Sequence, residues 1–174
     1  MRDGALVSVW MLMACEEGKM RKTITGSDPE LQKQKSSWLD VKAIARVEVT
    51  SEDSRYPIES AFEEDGHGWR SAETGEQTIT LVFDQPQRIQ LIRLCFVDTE
   101  TERTQRFTLQ WSTDHSDALL RLVQQEWNFS PNGSTTEIED YEVNLTGVRM
   151  LQLIVNPEIG EGSAIATMAS WRLA

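Results

Sequence analysis

The parts from which an active site is usually assembled are scarce in this chain. Histidine occurs only at His67 and His115, both in turn-like segments, so a serine or cysteine nucleophile has little base to work with, and no G-x-S-x-G is present. H-E-x-x-H, C-x-x-C and glycine-rich phosphate loops are missing too, and with them the usual ligands and cradles for zinc and nucleotides. Gly160-Glu161-Gly162 is too short to stand in for one. The 28 Asp and Glu residues form many pairs by chance, and glycoside hydrolysis depends on a spatial separation that sequence spacing does not set. Catalysis is not expected.

Recognition has more material. His67, Trp69 and Arg70 lie close together; an aromatic face can take apolar C–H groups of a sugar while charged donors fix its hydroxyls. Trp69 has an equally good second reading, as a core plug that holds its loop. Arg55-Tyr56-Pro57 is a turn stiffened by proline, from which two large side chains can project. The ligand-binding set read from the sequence is therefore Arg55, Tyr56, His67, Trp69 and Arg70. Glu63-Glu64-Asp65-Gly66-His67 could offer hard oxygen ligands to calcium, but a solvated acidic turn accounts for it as well, so no metal or other cofactor is assigned. Trp127 is read as core, and Asn132-Gly133 as a tight turn.

These groups need a scaffold. The chain has 174 residues, 39% of them hydrophobic and 26% charged, enough for one globular domain with a sizeable core. A formal charge of −11 repels phosphate, which removes nucleic acid and anionic membrane surfaces from the expected partners. Cys15 and Cys95 are the only cysteines, one in the leader and one among strand residues. Both are read as thiols, with a cytoplasmic location as the default.

Residues 1–37 are read as a leader or flexible tether and residues 38–174 as the folded domain. Ala5 to Cys15 is apolar but shorter than the about 20 residues a spanning helix needs. Its end, Leu12-Met13-Ala14-Cys15, resembles a bacterial lipoprotein signal, which would export the protein and anchor it at an acylated Cys15. Asp3 beside Arg2, and Met13 where a small residue belongs, weigh against this. The alternative is a start at Met11, Met13 or Met20. Glu16 to Ser37 mixes both charges with Gly and Pro and has no apolar period.

From Trp38 the pattern is strands and turns. Ala43–Val49 reads as a first strand. Gln77–Phe83 alternates, and Asp84-Gln85-Pro86-Gln87 is expected to end it in a turn because proline cannot donate to a ladder. Arg88–Phe96 and Arg106–Ser112 follow as strands. Leu119–Phe129 fits either period, and its neighbours favour strand. Glu137–Leu145, a break at Gly147, Met150–Val155 and Ile165–Leu173 complete about eight strands without a long helix. The fold class is all-β, a jelly-roll sandwich.

From Val47 to the C-terminus the order of features resembles the discoidin, or coagulation factor V/VIII C-type, family of galactose-binding-like jelly rolls. The resemblance rests on Val47-Glu48-Val49-Thr50-Ser51, Pro57-Ile58-Glu59-Ser60-Ala61-Phe62 and Gly68-Trp69-Arg70-Ser71, followed by Glu76 to Ile89. Arg106-Phe107-Thr108-Leu109-Gln110-Trp111-Ser112-Thr113-Asp114 and the closing pair Leu151–Val155 and Ala169–Leu173 extend it. It implies a non-catalytic module that binds carbohydrate, lipid head groups or protein through loops at one edge of the sandwich. Two departures count against the family's structural calcium: Ser60-Ala61-Phe62-Glu63 replaces its N-A-x-D-G turn, and Ser170 stands where many relatives carry glutamate. Large apolar loop tips are missing as well, so carbohydrate is the expected ligand, with a protein ligand as the alternative.

Overall fold

The computed structural model describes residues 38–114, 118–160 and 162–174. Expectations placed on residues 1–37, including Cys15, and on His115 and Glu161 fall outside them. A short helix α1 (Val41–Ile44) and a 3-10 turn (Ile58–Phe62) accompany eight strands: β1 (Ala45–Val49), β2 (Trp69–Thr74), β3 (Gln77–Val97), β4 (Arg103–Ser112), β5 (Leu120–Phe129), β6 (Thr136–Asn156), β7 (Ile165–Met168) and β8 (Ser170–Leu173). No helix among the described residues is long and apolar enough to cross a membrane.

The strand order is β1-β3-β6-β4-β5, with β8 also on β3 and a separate β2-β7 pair. The two longest strands belong to both layers of the sandwich. β1 pairs with the first half of β3, Ile79 to Phe83, and β4 with the last part of β6, Met150 to Asn156. The second half of β3 pairs instead with β8 through Ile92 to Cys95 and with the first part of β6. The halves close on one another: the ring of Phe96, on the late half of β3, stacks on Phe107 of β4 at 5.2 Å. A jelly-roll β-sandwich results, its core formed by the inward positions of both layers.

The bend that makes this possible is where sequence reasoning went astray. Asp84–Gln87 does not separate two strands. β3 is continuous for 21 residues and shifts register between Val82 and Gln87, and again up to Leu91. Pro86 lies in the stretch with no registered partner, so its missing N–H interrupts no ladder. Across from it β6 also runs on for 21 residues, and Gly147, expected to end a strand, supplies a positive φ of 72° inside one.

Smaller differences have similar causes. Ala43 and Ile44 belong to α1, so β1 begins at Ala45. β2 has no counterpart among the runs read from the sequence. Ile165–Leu173 is two strands because the chain changes partner at Ala169, whose N–H donates to the Cys95 carbonyl (2.8 Å). Leu120–Phe129 is a strand. The core includes Ile79, Leu81, Phe83, Ile92, Leu94, Leu151, Leu153 and Val155, all at most 1% exposed, each worth about 1.5–3 kcal/mol of burial. Trp171 packs against Phe62 from the 3-10 turn, ring centroids 6.1 Å apart.

Candidate functional site

β2 alternates cleanly: Trp69 and Ser71 face the core, and Arg70 faces out. The backbone of Arg70 is held from two directions. Its N–H donates to the Tyr56 carbonyl (3.2 Å), and its carbonyl accepts from the Asp53 N–H (2.8 Å), so the Asp53–Tyr56 turn is stitched to β2 at this residue. On the other side Arg70 is registered with Thr167 of β7. Ser71 adds a tie: its hydroxyl donates to the Glu73 carbonyl (2.7 Å) and accepts from the Ala166 N–H (3.0 Å). The guanidinium of Arg70 is exposed and makes no side-chain hydrogen bond or ion pair among the described residues, although its charge acts on Asp53.

Arg70 and Thr167 form one wall of a groove of about 540 Å³. The β3–β4 connection forms a second wall with Asp98, Glu100, Thr101 and Arg103, and the segment after β6 a third with Glu158 and Ser163 to Ile165. The β3–β4 connection is tightly made. Asp98 accepts from the N–H groups of Glu100 and Thr101, both at 2.9 Å, the side-chain-to-backbone closure that suits aspartate to turns. Its other oxygen accepts from Arg103 Nε at 2.6 Å, and its own N–H donates to the Thr135 carbonyl at 2.9 Å. Burial pushes the Asp98 carboxyl up, but hydrogen bonds from Arg103, Thr101 and Glu100 outweigh it, leaving the carboxyl below the usual range.

Arg103 fastens this loop to the third wall. Its side chain is only 2% exposed. Besides Asp98 it donates to Gln105 Oε1 (3.0 Å) and to the Pro157 carbonyl, and its guanidinium lies over the Phe129 ring at 5.0 Å. Ile159 N–H to Thr104 carbonyl (2.8 Å) closes the same junction. The groove is therefore framed before any ligand arrives, leaving the side chains of Arg70, Glu100 and Glu158 and several hydroxyls without partners among the described residues.

Of the five residues read from the sequence, the backbone bonds bring Arg55, Tyr56 and Arg70 together, and only Arg70 lines the groove. Arg55 is engaged with Asp53, Nε to Oδ1 at 3.1 Å and Nη2 to Oδ2 at 2.7 Å, and lies 5.9 Å from the Tyr56 ring. Hydrogen bonds from the Arg55 side chain and backbone, with the charges of Arg55 and Arg70, bring the Asp53 carboxyl down to about 2. His67 is exposed. A Cβ at Gly66 would sit 1.7 Å from the Ser60 carbonyl oxygen, and one at Gly68 (φ 74°) 2.5 Å from that of Met168, so His67 stands between two glycines that both press on backbone. Trp69 must be corrected as a sugar platform. It is 2% exposed, because the alternation that turns Arg70 outward turns Trp69 into the core.

The acidic loop offers calcium less than its sequence suggested, since Glu63 is paired with Lys42 at 2.6 Å. Among the described residues no group of three or more His, Cys, Asp or Glu side chains is placed to hold a metal. Sequence reasoning missed Asp98, Glu100, Thr101, Arg103, Glu158 and Thr167. The available signal was the polar stretch Asp98-Thr99-Glu100-Thr101 between the apolar end of β3 and the alternating β4.

No protein-family model matches the sequence, and comparison with curated proteins finds no match. Solved structures do match in fold. A family 32 carbohydrate-binding module from Clostridium perfringens NanJ, in complex with galactose, superposes with a TM-score of 0.56 at 10% identity, over 79% of this chain and 97% of that one. Another family 32 module from Clostridium perfringens, in complex with GalNAc-β-1,3-galactose, gives 0.58 at 14%, over 79% and 99%. The family 32 module of AlyQ, in complex with 4,5-unsaturated mannuronic acid, gives 0.57 at 15%, over 79% and 98%. Some neighbours are parts of enzymes: a Ruminococcus gnavus fucosidase matches over only 25% of its length. The galactose-binding-like sandwich expected from the sequence is the fold observed.

Proposed function

We propose that this protein is a non-catalytic carbohydrate-binding module that takes a hydroxyl-rich sugar in the groove beside Arg70. One observation carries the reading: a guanidinium free of side-chain partners among the described residues, on a backbone fixed from both sides, opens onto a preformed groove lined by hydroxyls and carboxylates. Arg70 donates to sugar oxygens, Glu100 and Glu158 accept from sugar hydroxyls, and Val97, Ala164 and Ile165 receive the C–H face. Three carboxylates and two guanidiniums line the groove, and Arg103 is committed to Asp98, which favours neutral sugars over uronic acids. The fold supports the reading, because its neighbours include modules solved with galactose and with GalNAc-β-1,3-galactose. Fold alone does not assign function.

One feature favours a second reading. No aromatic side chain is among the residues lining the groove, and a protein ligand would need no stacking platform. A glycan array with neutral and acidic sugars, run beside a pull-down, separates the two. Signal on neutral glycans is expected; a blank array together with a recovered partner protein would favour the second reading, and preferential binding of uronic acids would contradict the charge argument.

A further inference from the structure

Among the described residues, one buried carboxylate beside the groove stands without partners. Glu137, the second residue of β6, is 1% exposed, and neither carboxylate oxygen has a hydrogen-bond partner among the described residues. It is registered opposite Phe96 of β3, a core residue with no exposure, so its side chain shares the inward face of the sheet. An ionised carboxylate without a partner in such a place is strongly unfavourable, and the group holds its proton or moves to water.

Among the described residues no cation offsets the charge. On its own strand stand Glu139 and Tyr141, the first accepting from Gln125 Nε2 at 2.5 Å and the second donating to Gln125 Oε1 at 2.8 Å. On β3 the nearby titratable group is Cys95, whose thiol burial pushes up. Arg93, also on β3, is paired with Asp140. On β4 the guanidinium of Arg103 is taken by Asp98, Gln105 and Pro157. The inward residues of β5, Val123, Gln125, Trp127 and Phe129, include no titratable group. Burial first, and the charge of Glu139 second, push the Glu137 carboxyl up to about 7.

The path from Glu137 to the groove is short. Thr136, its neighbour, is registered with Val97, and Thr135 accepts the Asp98 N–H; Val97 and Asp98 both line the groove. We propose that Glu137 makes the groove sensitive to pH: protonated, it keeps the start of β6 and the Asp98–Arg103 loop seated, and ionised, it draws that end of β6 toward water and loosens the loop. The effect on sugar rests on the reading of the groove given above; the effect on the loop does not.

Two readouts on the full chain test it. Opening at the Asp98 amide, measured by hydrogen exchange and corrected for intrinsic rates, should rise about tenfold from pH 6 to pH 8 in the wild type and stay level in Glu137→Gln, with Glu137→Leu as a second variant should the first fold poorly. Galactose affinity, titrated at the same two pH values, should fall severalfold in the wild type only. Equal opening at both pH values, or the same rise in wild type and variants, overturns the switch whatever the sugar does. A wild type whose loop opens as expected but which binds no sugar at either pH supports the switch and overturns the sugar reading instead.

Discussion

Arg103 and Glu137 lie at the same end of the sandwich and are almost equally removed from water, yet they are treated in opposite ways. The guanidinium has a carboxylate, an amide oxygen, a backbone carbonyl and an aromatic face; the carboxylate has no hydrogen-bond partner among the described residues. A buried charge held by several acceptors can hold two segments in fixed relation, and Arg103 does this for the two walls that face Arg70. A buried acid with no donor is tolerable only while it is neutral.

The comparison can be broken most directly at Arg103. Arg103→Ala leaves Asp98 Oδ2 and the Pro157 carbonyl without the Arg103 donor, and should cost about 3–5 kcal/mol of stability in denaturant unfolding. A loss below about 1 kcal/mol would mean that the network does not hold the loop. At Glu137 the sign reverses. Its carboxyl titrates higher folded than unfolded, so its contribution is fully present below the ordinary glutamate range and is lost as pH rises through about 7. Unfolding at pH 5 and pH 8 should show the wild type losing up to about 3 kcal/mol that Glu137→Gln does not lose. An identical pH dependence in both would remove Glu137 from the account.

Asp98 should behave in the opposite sense to Glu137. Its carboxyl titrates lower folded than unfolded, so its contribution is present above the ordinary aspartate range and fades as pH falls through its depressed value. Asp98→Asn should cost about 1–2 kcal/mol near neutrality, with the difference from wild type shrinking in acid. The smallest effect is expected at Arg55, whose side chain is 76% exposed. Arg55→Ala should leave the unfolding midpoint close to that of the wild type, as exposed pairs do; a clear drop in denaturant unfolding would mark the Asp53–Tyr56 turn as structural.

How far the sequence could be read depends on which physical rule was in force. Alternation placed the strands around Ile79–Phe83, Ile92–Phe96 and Phe107–Leu109, because each has a wet face and a dry one. It failed at Pro86 and Gly147, where the local rule that ends a strand was overridden by a bulge facing a matching irregularity in another strand, a pairing that only tertiary structure reveals. Arg70 and Trp69 were both picked out, but which one faces water is fixed by the placement of β2, and no run of alternating residues announced that strand. The remaining walls of the groove come from Asp98 to Arg103 and from Glu158 with Ser163, Ala164 and Ile165, segments far apart in sequence that meet through Arg103. Glu137 was seen only as one more acidic residue in an alternating strand, since its anomaly lies in the missing partners.

The central claim is that ligand is held beside Arg70 rather than at the neighbouring Arg55–Tyr56 turn. The decisive measurement is a calorimetric titration of galactose, or of GalNAc-β-1,3-galactose, into folded wild type, Arg70→Ala and Arg55→Ala at pH 6. Loss of one charge-assisted donor should weaken binding to Arg70→Ala by about tenfold or more, equivalent to about 1.4 kcal/mol or more, with Arg55→Ala close to wild type. Unchanged affinity in Arg70→Ala, or a larger loss in Arg55→Ala, would contradict the assignment of the groove.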